Sequence, residues 1–555
     1  MDDSNAGERE GAARDRRLRF AVITDAHIEH PEDERAGYLR AALDAVKAHR
    51  PAFVIFAGDL ISPEANTRRC NGAEPAHLHP GGDTILASTA ATEDFSWVSG
   101  LFGSLDMPVH LLRGNVDVAL LQEPLRFAFS MEGVAFIGFD TAMGTLDESE
   151  DRWLQEVSLR YLEMPKILFS HYYVEALDPP GAERLLARLA ESGARHLISG
   201  HGHRCEHHLI AQTQNHLVEA IDPFKPGSHR PGFDIFEFDG DDLRRAHYTV
   251  SLVSPDAIEQ FQSCLGCAPG NPGSAQDFAG LLTECALRYA QCKWTPRVVE
   301  ALGAAKAVTN LRGWMDAKTL QILSIHGSNP QIDPSGNLLN GSTIEHEVKI
   351  CKDAGAASVT SHLPIWDDRE LFDPEDGSPT STAQAIVDTM ADAFSGYWLA
   401  GIRIDLENTH WLDPLQYPDS LEEHMLGIQI GHLFWFRGNL ESRLKHLHGE
   451  IPGSGVFFTF DVGHALTNGP LASTMTVPDW FVSLGSHIRS IHFHDAVDLP
   501  EGGRQAHYPL GVAGGLVGLE GFVHLWHRYS PGAILYLEVE TLEDVRKSME
   551  HLGRW

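Results

Sequence analysis

The sequence has few cysteines, no long apolar run and a deficit of basic residues. Seven cysteines in 555 residues are too sparse for a disulfide scaffold, which indicates a reducing compartment. No apolar stretch approaches the length that crosses a bilayer, so we expect no membrane partner. The formal net charge of −34 opposes binding to a phosphate backbone, which makes nucleic acid a disfavoured partner. Together these deficits predict a cytoplasmic protein.

The chain does have length, ordinary apolar content and an excess of histidine. A chain of 555 residues with 43% apolar content predicts two or more domains, each with its own core. Residues 1–17 are charged and lack an apolar signal core, so we expect a disordered leader. The 31 histidines are unusual, and many of them follow strand-like segments.

An apolar, β-branched run at residues 18–28, LRFAVITDAHI, ends in Asp25 and His27. In an extended segment the side chains of residues i and i+2 lie on the same face, so one cation would contact both residues. This pair alone is weak evidence, because short polar residues are common where strands stop. The test is whether other strands end in the same way.

Four later apolar segments of the first half also end in metal-ligand residues. Any one of them is more often a turn or capping residue, but five such ends in order favour a site for two divalent cations. The alternation of strands and helices predicts a layered α/β domain. The four ends carry Asp59, Asn115, His171, and the pair His201 and His203.

The ordered series D-x-H, G-D, G-N-x-D, H and G-H-x-H resembles the calcineurin-like metallophosphoesterases over residues 18–250. The resemblance implies hydrolysis of phosphomonoesters or phosphodiesters with two Mn, Fe or Zn ions. It also implies catalytic roles for Asp59 and Asn115, with Asp59 bridging the metals. The implied ligands are Asp25, His27, Asp59 and His203 for one metal, and Asp59, Asn115, His171 and His201 for the other.

One position departs from the family pattern. Most members have His where this chain has Val116, and valine cannot protonate a leaving oxygen. The loss of a general acid costs roughly 10²–10⁴-fold in rate if nothing replaces it. His77 and His79, in a polar insertion at residues 62–92, are candidates for that role, although solvent-facing loop histidines are the favoured interpretation.

The second half, residues 255–555, alternates eight strand-like segments with helical ones, which predicts a (β/α)8 TIM barrel. Polar residues again gather at the strand ends. Any one of these histidines is more often a core or rim residue, but strand ends converge at the mouth of a barrel, so the full set favours a metal site. The set comprises His326, His362, Glu407, Asp461, His464, His492 and Glu538, with His507 in the loop after the seventh strand.

The segments LENT, DVGH, HFHD, QAHYPLGVAGG and LYLEVE resemble the xylose isomerase-like barrels, which include endonuclease IV and sugar epimerases. The resemblance implies one to three divalent metals, drawn from Mn, Zn, Mg and Co. Gln505 departs from it, because endonuclease IV has a metal-binding Asp there. The implied ligands of one metal are Glu407, Asp461, His492 and Glu538, and those matching further metals are His326, His362, His464 and His507.

The epimerase-type resemblance implies that Glu407 and Glu538 exchange protons with a sugar, as two carboxylates flanking one carbon would. We therefore expect a bifunctional metalloenzyme: a phosphoesterase coupled to an isomerase- or epimerase-like barrel. Two alternatives stay open. The barrel is a phosphoesterase or lyase of the endonuclease IV type, or one half is a degenerate binding or regulatory module. The expected partner is a small-molecule phosphate ester or sugar phosphate.

Four cysteines open the second half, Cys264, Cys267, Cys285 and Cys292. Their C-x2-C start allows a structural zinc site, whereas the wider spacing of the second pair favours reduced core thiols.

Overall fold

A computed structural model describes most of the chain. Not described are residues 1–17, 29–32, 62–99, 119–123, 211, 226–229, 240–241, 296–305, 374–377, 410–423, 469–470, 473–474, 500–502 and 555. The expected leader and the 62–92 insertion, with His77 and His79, therefore lie outside the described residues. The remainder forms two compact units, of which the first ends at Leu252 and the second begins at Val253.

The first unit contains two sheets. The strands are β1 (Leu18–Ile23), β2 (Val54–Ala57), β3 (Val109–Leu112), β4 (Phe127–Met131), β5 (Val134–Gly138), β6 (Lys166–Ser170), β7 (His196–Ser199), β8 (Glu206–Ile210), β9 (Thr213–Leu217), β10 (Gly232–Phe238) and β11 (Leu243–Thr249). The strand orders of the two sheets are β11-β10-β1-β2-β3 and β4-β5-β6-β7-β9-β8. The helices are α1 (Glu34–His49), α2 (Glu148–Arg160) and α3 (Pro179–Ser192).

Strand β1 shows why these elements form layers, because both of its faces are apolar. Phe20 and Val22 enter a core cluster with side chains of the second sheet, and Phe20 packs edge-on against Phe136 at 5.5 Å between ring centroids. Ala21 and Ile23, on the opposite face, pack in a second cluster with α1. A third cluster joins the second sheet to α2 and α3. The predicted layered α/β class of the first half is confirmed.

The second unit is a closed barrel of eight parallel strands, which confirms the predicted TIM barrel. Its strands are β12 (Leu265–Cys267), β13 (Tyr289–Lys293), β14 (Ile322–His326), β15 (Ser358–His362), β16 (Arg403–Glu407), β17 (Val456–Asp461), β18 (Ile488–His492) and β21 (Ile534–Leu537). An antiparallel pair, β19 (Asp495–Asp498) and β20 (Arg504–Tyr508), follows the seventh barrel strand.

Helices alternate with the barrel strands. They are α4 (Pro255–Ser263), α5 (Ala275–Glu284), α6 (Ala307–Asp316), α7 (Gly341–Ala354), α8 (Asp368–Leu371), α9 (Ser381–Leu399), α10 (Ile430–His448), α11 (Val462–Leu466), α12 (Val477–Leu484), α13 (Leu519–Tyr529) and α14 (Leu542–Arg554). Local sequence starts several of them. Ser274, for example, accepts from Asp277 N at 3.1 Å and so caps the first turn of α5.

A polar layer inside the barrel positions the strand ends. Gln291 donates to Thr360 Oγ1 at 2.9 Å, the hydroxyls of Thr360 and Thr459 are 3.0 Å apart, and Ser490 lies 2.8 Å from Thr459. Each of these residues stands two positions before the end of its strand. Because side chains alternate along a strand, the residues at the strand ends also face the barrel axis.

No helix in the described part of the chain combines the length and the apolar character needed to cross a bilayer. The cytoplasmic location stays a prediction. The six described cysteines are free, and burial raises the pKa of the Cys267 and Cys292 thiols.

Candidate metal centres

The first centre begins just after β1, at Asp25 and His27. Both residues have a left-handed backbone, with φ of 55° and 48°. The expectation that an extended strand aligns them is therefore wrong, because the chain has already left the strand. Backbone bonds hold this turn, since Asp25 N donates to Gly58 O and His27 N to Asp59 O, each at 3.0 Å. The turn brings donor atoms of Asp25, His27 and His203 within 4.8 Å of one another.

Asp59 lies between two groups of candidate ligands. Its Oδ2 is 3.4 Å from His27 Nε2 and 3.2 Å from His171 Nε2. Its Oδ1 accepts from the backbone N–H of Val116 at 3.0 Å, which fixes the carboxylate. A single oxygen thus faces both clusters, the arrangement expected of a bridging ligand.

The second cluster contains His171, His201 and Asp59, whose donor atoms also lie within 4.8 Å of one another. His171 Nδ1 donates to Ala57 O at 2.9 Å, so its Nε2 faces the ligand cluster. That Nε2 is 3.1 Å from Asn115 Oδ1. Asn115 therefore lies beside this cluster, where the family resemblance implies a ligand.

The glycine of G-N-x-D is explained by close packing. A Cβ at Gly114 would lie 2.0 Å from Asp59 Oδ1 and 2.4 Å from Asp59 N, so no larger residue fits. Asp117 closes the same loop by accepting from Gly114 N at 2.8 Å and from Ile61 N at 3.0 Å. Burial, and after it the charge of Asp59, raises the pKa of Asp117 to about 6.

The electrostatics of this centre favour ionised carboxylates. Burial opposes ionisation of Asp59, but the imidazoles of His171 and His27 outweigh it and hold the pKa of Asp59 below its usual range. Burial would lower the pKa of His171, and Asp59 instead raises it to about 9. Burial lowers the pKa of His201 to about 4, which keeps that ring neutral. A cation would therefore displace the His171 proton on binding.

The donor set of the first centre fits two divalent cations. Carboxylate, amide and imidazole groups suit borderline to hard ions such as Mn, Fe and Zn. His201 Nδ1 is buried and has no hydrogen-bond partner among the described residues. A buried nitrogen without a partner is costly, and a bound cation would satisfy it.

Two further residues of the first centre had no signal in the sequence. Lys225 Nζ lies 3.2 Å from His27 Nε2, and Asp222 Oδ2 lies 3.5 Å from His27 Nδ1. Both residues follow β9 in a short irregular segment without periodicity. Only the fold places this segment against the end of β1, where Asp222 N donates to Asp25 O at 3.1 Å.

The second centre lies at the carboxyl ends of the barrel strands. The register pairs His362 with Glu407, and Asp461 with His492, on neighbouring strands. Glu538 directly follows the last strand. Closure of the barrel therefore brings together residues that are far apart in sequence.

His492 is the central imidazole of this centre. Its Nδ1 lies 2.8 Å from Glu407 Oε1, 2.6 Å from Glu538 Oε2 and 3.4 Å from Asp461 Oδ2. Its Nε2 donates to Gln291 Oε1 at 2.7 Å, which leaves Nδ1 facing the carboxylates. The carboxylates of the other three residues expected to hold one metal therefore all lie close to His492 Nδ1.

Three further histidines lie around Glu407. His326 Nε2 and His362 Nε2 lie 3.0 Å and 3.3 Å from Glu407 Oε2. His464 Nδ1 donates to Asn408 O at 3.0 Å and lies 3.7 Å from Glu407 Oε1. Glu407 therefore belongs to two ligand clusters, one with His326 and His492 and the other with His362 and His464.

The expected loop position of His507 is wrong, because this residue lies in β20, which pairs with β19. Its backbone N donates to His494 Nδ1 at 2.9 Å, and its ring centroid is 4.3 Å from that of His494 and 5.6 Å from that of His464. Gln505, on the same strand, is exposed and accepts from Tyr508 at 3.2 Å. His507 thus reaches the ligands, and Gln505 does not.

Sequence reasoning missed His494 and Lys293. His494 Nε2 lies 3.1 Å from Asp461 Oδ1, and a Cβ at Gly463 would meet the His494 ring at 1.9 Å. The signal was its position two residues after a proposed ligand in HFHD. Lys293 Nζ lies 2.5 Å from Glu538 Oε1 and is the last residue of β13. Its sequence signal is the one that the predicted ligands share, a polar side chain at the end of an apolar strand.

The barrel donor set also fits divalent cations. Glu407 Oε2 and Glu538 Oε2 are buried without a hydrogen-bond partner in the described part of the chain, although imidazole nitrogens lie 3.0 Å and 2.6 Å away. These oxygen and nitrogen atoms lie close together without forming hydrogen bonds. They point at a common position, as metal ligands do. Burial opposes ionisation, but His362 and then His492 hold the pKa of Glu407 well below its usual range.

The two units resemble different groups of known proteins. Residues 18–205 match the family described as calcineurin-like phosphoesterase. This match covers the strands that carry Asp25, Asp59, Asn115, His171, His201 and His203. No curated protein matches the chain.

Solved structures resemble each part at low sequence identity. A dimetal phosphatase from Danio rerio has 14% identity and a TM-score of 0.32, and the match covers 42% of this chain and 99% of that one. A D-tagatose 3-epimerase-like protein has 17% identity and a TM-score of 0.36, with 52% and 96% covered. A xylose isomerase domain protein from Planctomyces limnophilus has 15% identity and a TM-score of 0.35, with 52% and 95% covered.

Proposed function

Because residues 18–205 match the calcineurin-like phosphoesterases, we propose that the first unit is a metal-dependent hydrolase of phosphate esters. The observation that carries this proposal is Asp59 Oδ2, within 3.4 Å of His27 Nε2 and 3.2 Å of His171 Nε2. One carboxylate oxygen shared by two ligand clusters is what a dinuclear centre requires.

The residues of the first unit would hold two Mn, Fe or Zn ions. When bound, such ions polarise phosphoryl oxygens and lower the pKa of water. One ion would be held by Asp25, His27, Asp59 and His203, and the other by Asp59, Asn115, His171 and His201.

The protein's own contribution to hydrolysis is positioning. A water oxygen forms a new bond to phosphorus, the ester P–O bond breaks, and the two water protons end on the alcohol and on the released phosphate. The backbone of Val116 orients Asp59, and Asp117 fixes the loop that carries Asn115. The Val116 side chain itself offers no proton to the leaving oxygen.

For the barrel we propose a metal-dependent isomerase or epimerase that acts on a sugar or sugar phosphate, with one to three Mn, Zn, Mg or Co ions. The supporting observation is that Glu407 and Glu538 both reach His492 Nδ1, at 2.8 Å and 2.6 Å. Two carboxylates at one centre would move protons on and off a carbon of the substrate.

One observation favours a second candidate for the barrel. His326, His362 and His464 surround Glu407 with more nitrogen donors than a single metal needs, which favours a phosphoesterase or lyase with several metals, of the endonuclease IV type. A degenerate binding module is disfavoured, because a module that had lost catalysis would be expected to lose ligands. The presence of every candidate ligand among the described residues supports this view.

The union of both units in one chain supports a bifunctional enzyme in which the barrel acts on what the phosphoesterase releases. A phosphorylated sugar or a sugar phosphodiester suits both centres. We propose that the units are separate domains, each with its own metal centre, in a cytoplasmic protein.

Elemental analysis of the purified chain tests this proposal together with a substrate panel of aryl phosphates, sugar phosphates and free sugars. We expect at least three divalent ions per chain, release of phosphate from esters, and sugar interconversion. A chain with no more than two metals would contradict a dinuclear first centre combined with a metal in the barrel.

A further inference from the structure

A lysine ammonium lies at the edge of the first centre. Lys225 Nζ is 3.2 Å from His27 Nε2 and 3.9 Å from Asp222 Oδ2. The same His27 nitrogen is 3.4 Å from Asp59 Oδ2. The ammonium therefore lies on the side of His27 that faces the shared carboxylate.

Lys225 is held in this position by the fold. Asp222 N donates to Asp25 O at 3.1 Å, and Phe224 N donates to Asp222 Oδ1 at 2.9 Å, so the segment before Lys225 is anchored to the end of β1. The guanidinium of Arg35 lies 5.4 Å from the Phe224 ring centroid and packs against the segment. The Lys225 side chain is only 19% exposed, which is low for a lysine.

The acceptor that Lys225 uses here is one that a metal would take. Its ammonium donates to the lone pair of His27 Nε2, and a cation bound to His27 needs that same lone pair. Asp222 is already occupied, because it accepts from Phe224 N and lies 3.5 Å from Arg35 Nε. With a metal on His27, the Lys225 ammonium would lose this acceptor and would be available to a substrate oxygen.

We propose that Lys225 binds a nonbridging oxygen of the phosphoryl group and thereby selects phosphomonoesters over phosphodiesters. This inference rests on the phosphoesterase function proposed above. A diester has two nonbridging oxygens, which a pair of cations would occupy. A monoester has a third, and it carries an additional negative charge. An ammonium is a compact point charge suited to that oxygen.

The test is Lys225→Met in the full-length chain loaded with Mn²⁺. Initial rates are measured with p-nitrophenyl phosphate and with bis(p-nitrophenyl) phosphate, which share a leaving group. We expect kcat/KM to fall about 10²-fold for the monoester, as when one transition-state donor is removed, and about 3-fold or less for the diester. Lys225→Arg keeps the charge and should recover most of the monoester rate.

Two measurements do not depend on turnover. Metal content by elemental analysis should stay at the wild-type value in Lys225→Met. Calorimetric titration with inorganic phosphate should show about 10-fold weaker binding, because one charge-assisted hydrogen bond is lost. Lys47→Met is the matched control, because Lys47 forms a surface pair with Asp44 at 2.8 Å. This variant should change neither the ratio of monoester to diester rates nor the affinity for inorganic phosphate.

An equal loss with both substrates, or loss of metal, would show that Lys225 only positions His27 and would overturn the proposal. Unchanged rates would overturn it as well, and so would a wild-type protein that hydrolyses the diester alone. A wild-type protein that hydrolyses neither ester refutes the phosphoesterase function itself, which is a distinct outcome. If Lys225→Met fails to fold, the same ratio is measured on Lys225→Gln.

Discussion

The two centres contain similar types of residue, but the backbone conformation at these residues differs. In the first unit Asp25, His27, Asp59, His201 and His203 all have positive φ, between 47° and 60°. Of the eight candidate ligands of the barrel, all of them described, His507 alone does, with φ of 65°. Five residues of the first centre therefore lie in turns that follow strands. Five of the second are the last residues of barrel strands, namely His326, His362, Glu407, Asp461 and His492.

The difference follows from the shape of the two sheets. The strands of a closed barrel tilt around one axis, so inward side chains at neighbouring strand ends already converge. At the edge of an open sheet the strands run side by side, and a ligand must turn back toward its neighbours. Left-handed backbone achieves this at a cost on the order of 1–3 kcal/mol per residue, least for Asp, Asn and His.

The largest expected effect is on the shared oxygen of the first centre. Asp59→Asn should reduce phosphoester hydrolysis to the uncatalysed level, because Asp59 Oδ2 is the atom that faces both clusters. Metal analysis should show loss from the first centre only. Asp44→Asn, at an exposed pair on α1, is the control and should keep full activity. Near-normal turnover of Asp59→Asn would refute the dinuclear assignment.

Removing a carboxylate from the barrel should produce the complementary loss. Glu538→Gln should abolish barrel chemistry and reduce the metal content of the barrel, since metal binding depends on its local ligand set. Phosphoester hydrolysis should be unchanged. Exposed Glu540, two residues later, supplies the control Glu540→Gln. If Glu538→Gln impaired hydrolysis without unfolding the protein, the two centres would have to be treated as one.

A smaller effect concerns the missing proton donor in the first centre. The wild-type protein should hydrolyse activated aryl esters much faster than alkyl esters, because the Val116 side chain cannot protonate a leaving alkoxide. Val116→His should raise alkyl ester turnover by about 10²-fold if its ring reaches the leaving oxygen. Val116→Phe is the control, because its ring cannot donate a proton to the leaving oxygen. A flat dependence on leaving-group pKa in the wild type, with chemistry rate-limiting, would indicate another donor.

The smallest effect concerns acid stability of the first unit. His196 Nδ1 lies 3.3 Å from His216 Nε2, and both rings are buried. Burial lowers the pKa of His196 to about 4 and the pKa of His216 to about 3. The unfolded state therefore binds more protons below about pH 6.5, so stability falls as the pH drops from there toward 4. Between pH 7 and 5 the loss should be on the order of 2 kcal/mol for each ring.

Denaturant unfolding at these two pH values measures this loss, and His216→Phe should make it smaller. His208→Phe, at a partly exposed position beside Glu175, is the control. An unchanged pH dependence in His216→Phe would show that other groups cause the acid sensitivity.

Several features were accessible from the sequence alone because they are local. Apolar runs that stop at Asp, Asn, His or Glu predicted the strand ends, and the alternation of strands and helices predicted both the layered unit and the barrel. Gly114 and Gly463 were visible in their motifs. The reason each must be glycine, a side chain lying within 2.0 Å of the missing Cβ, required the neighbouring element.

What the sequence by itself determined was which residues stand at strand ends, because hydrophobic periodicity and chain breaks are properties of neighbouring residues. Only the tertiary structure decided that Asp25 and His27 meet through left-handed turns, that Glu407 is shared by two clusters, and that Lys225 and Lys293 reach the centres. These facts depend on strand register, barrel closure and loop packing. All three bring together residues distant in the chain, and no local pattern records them.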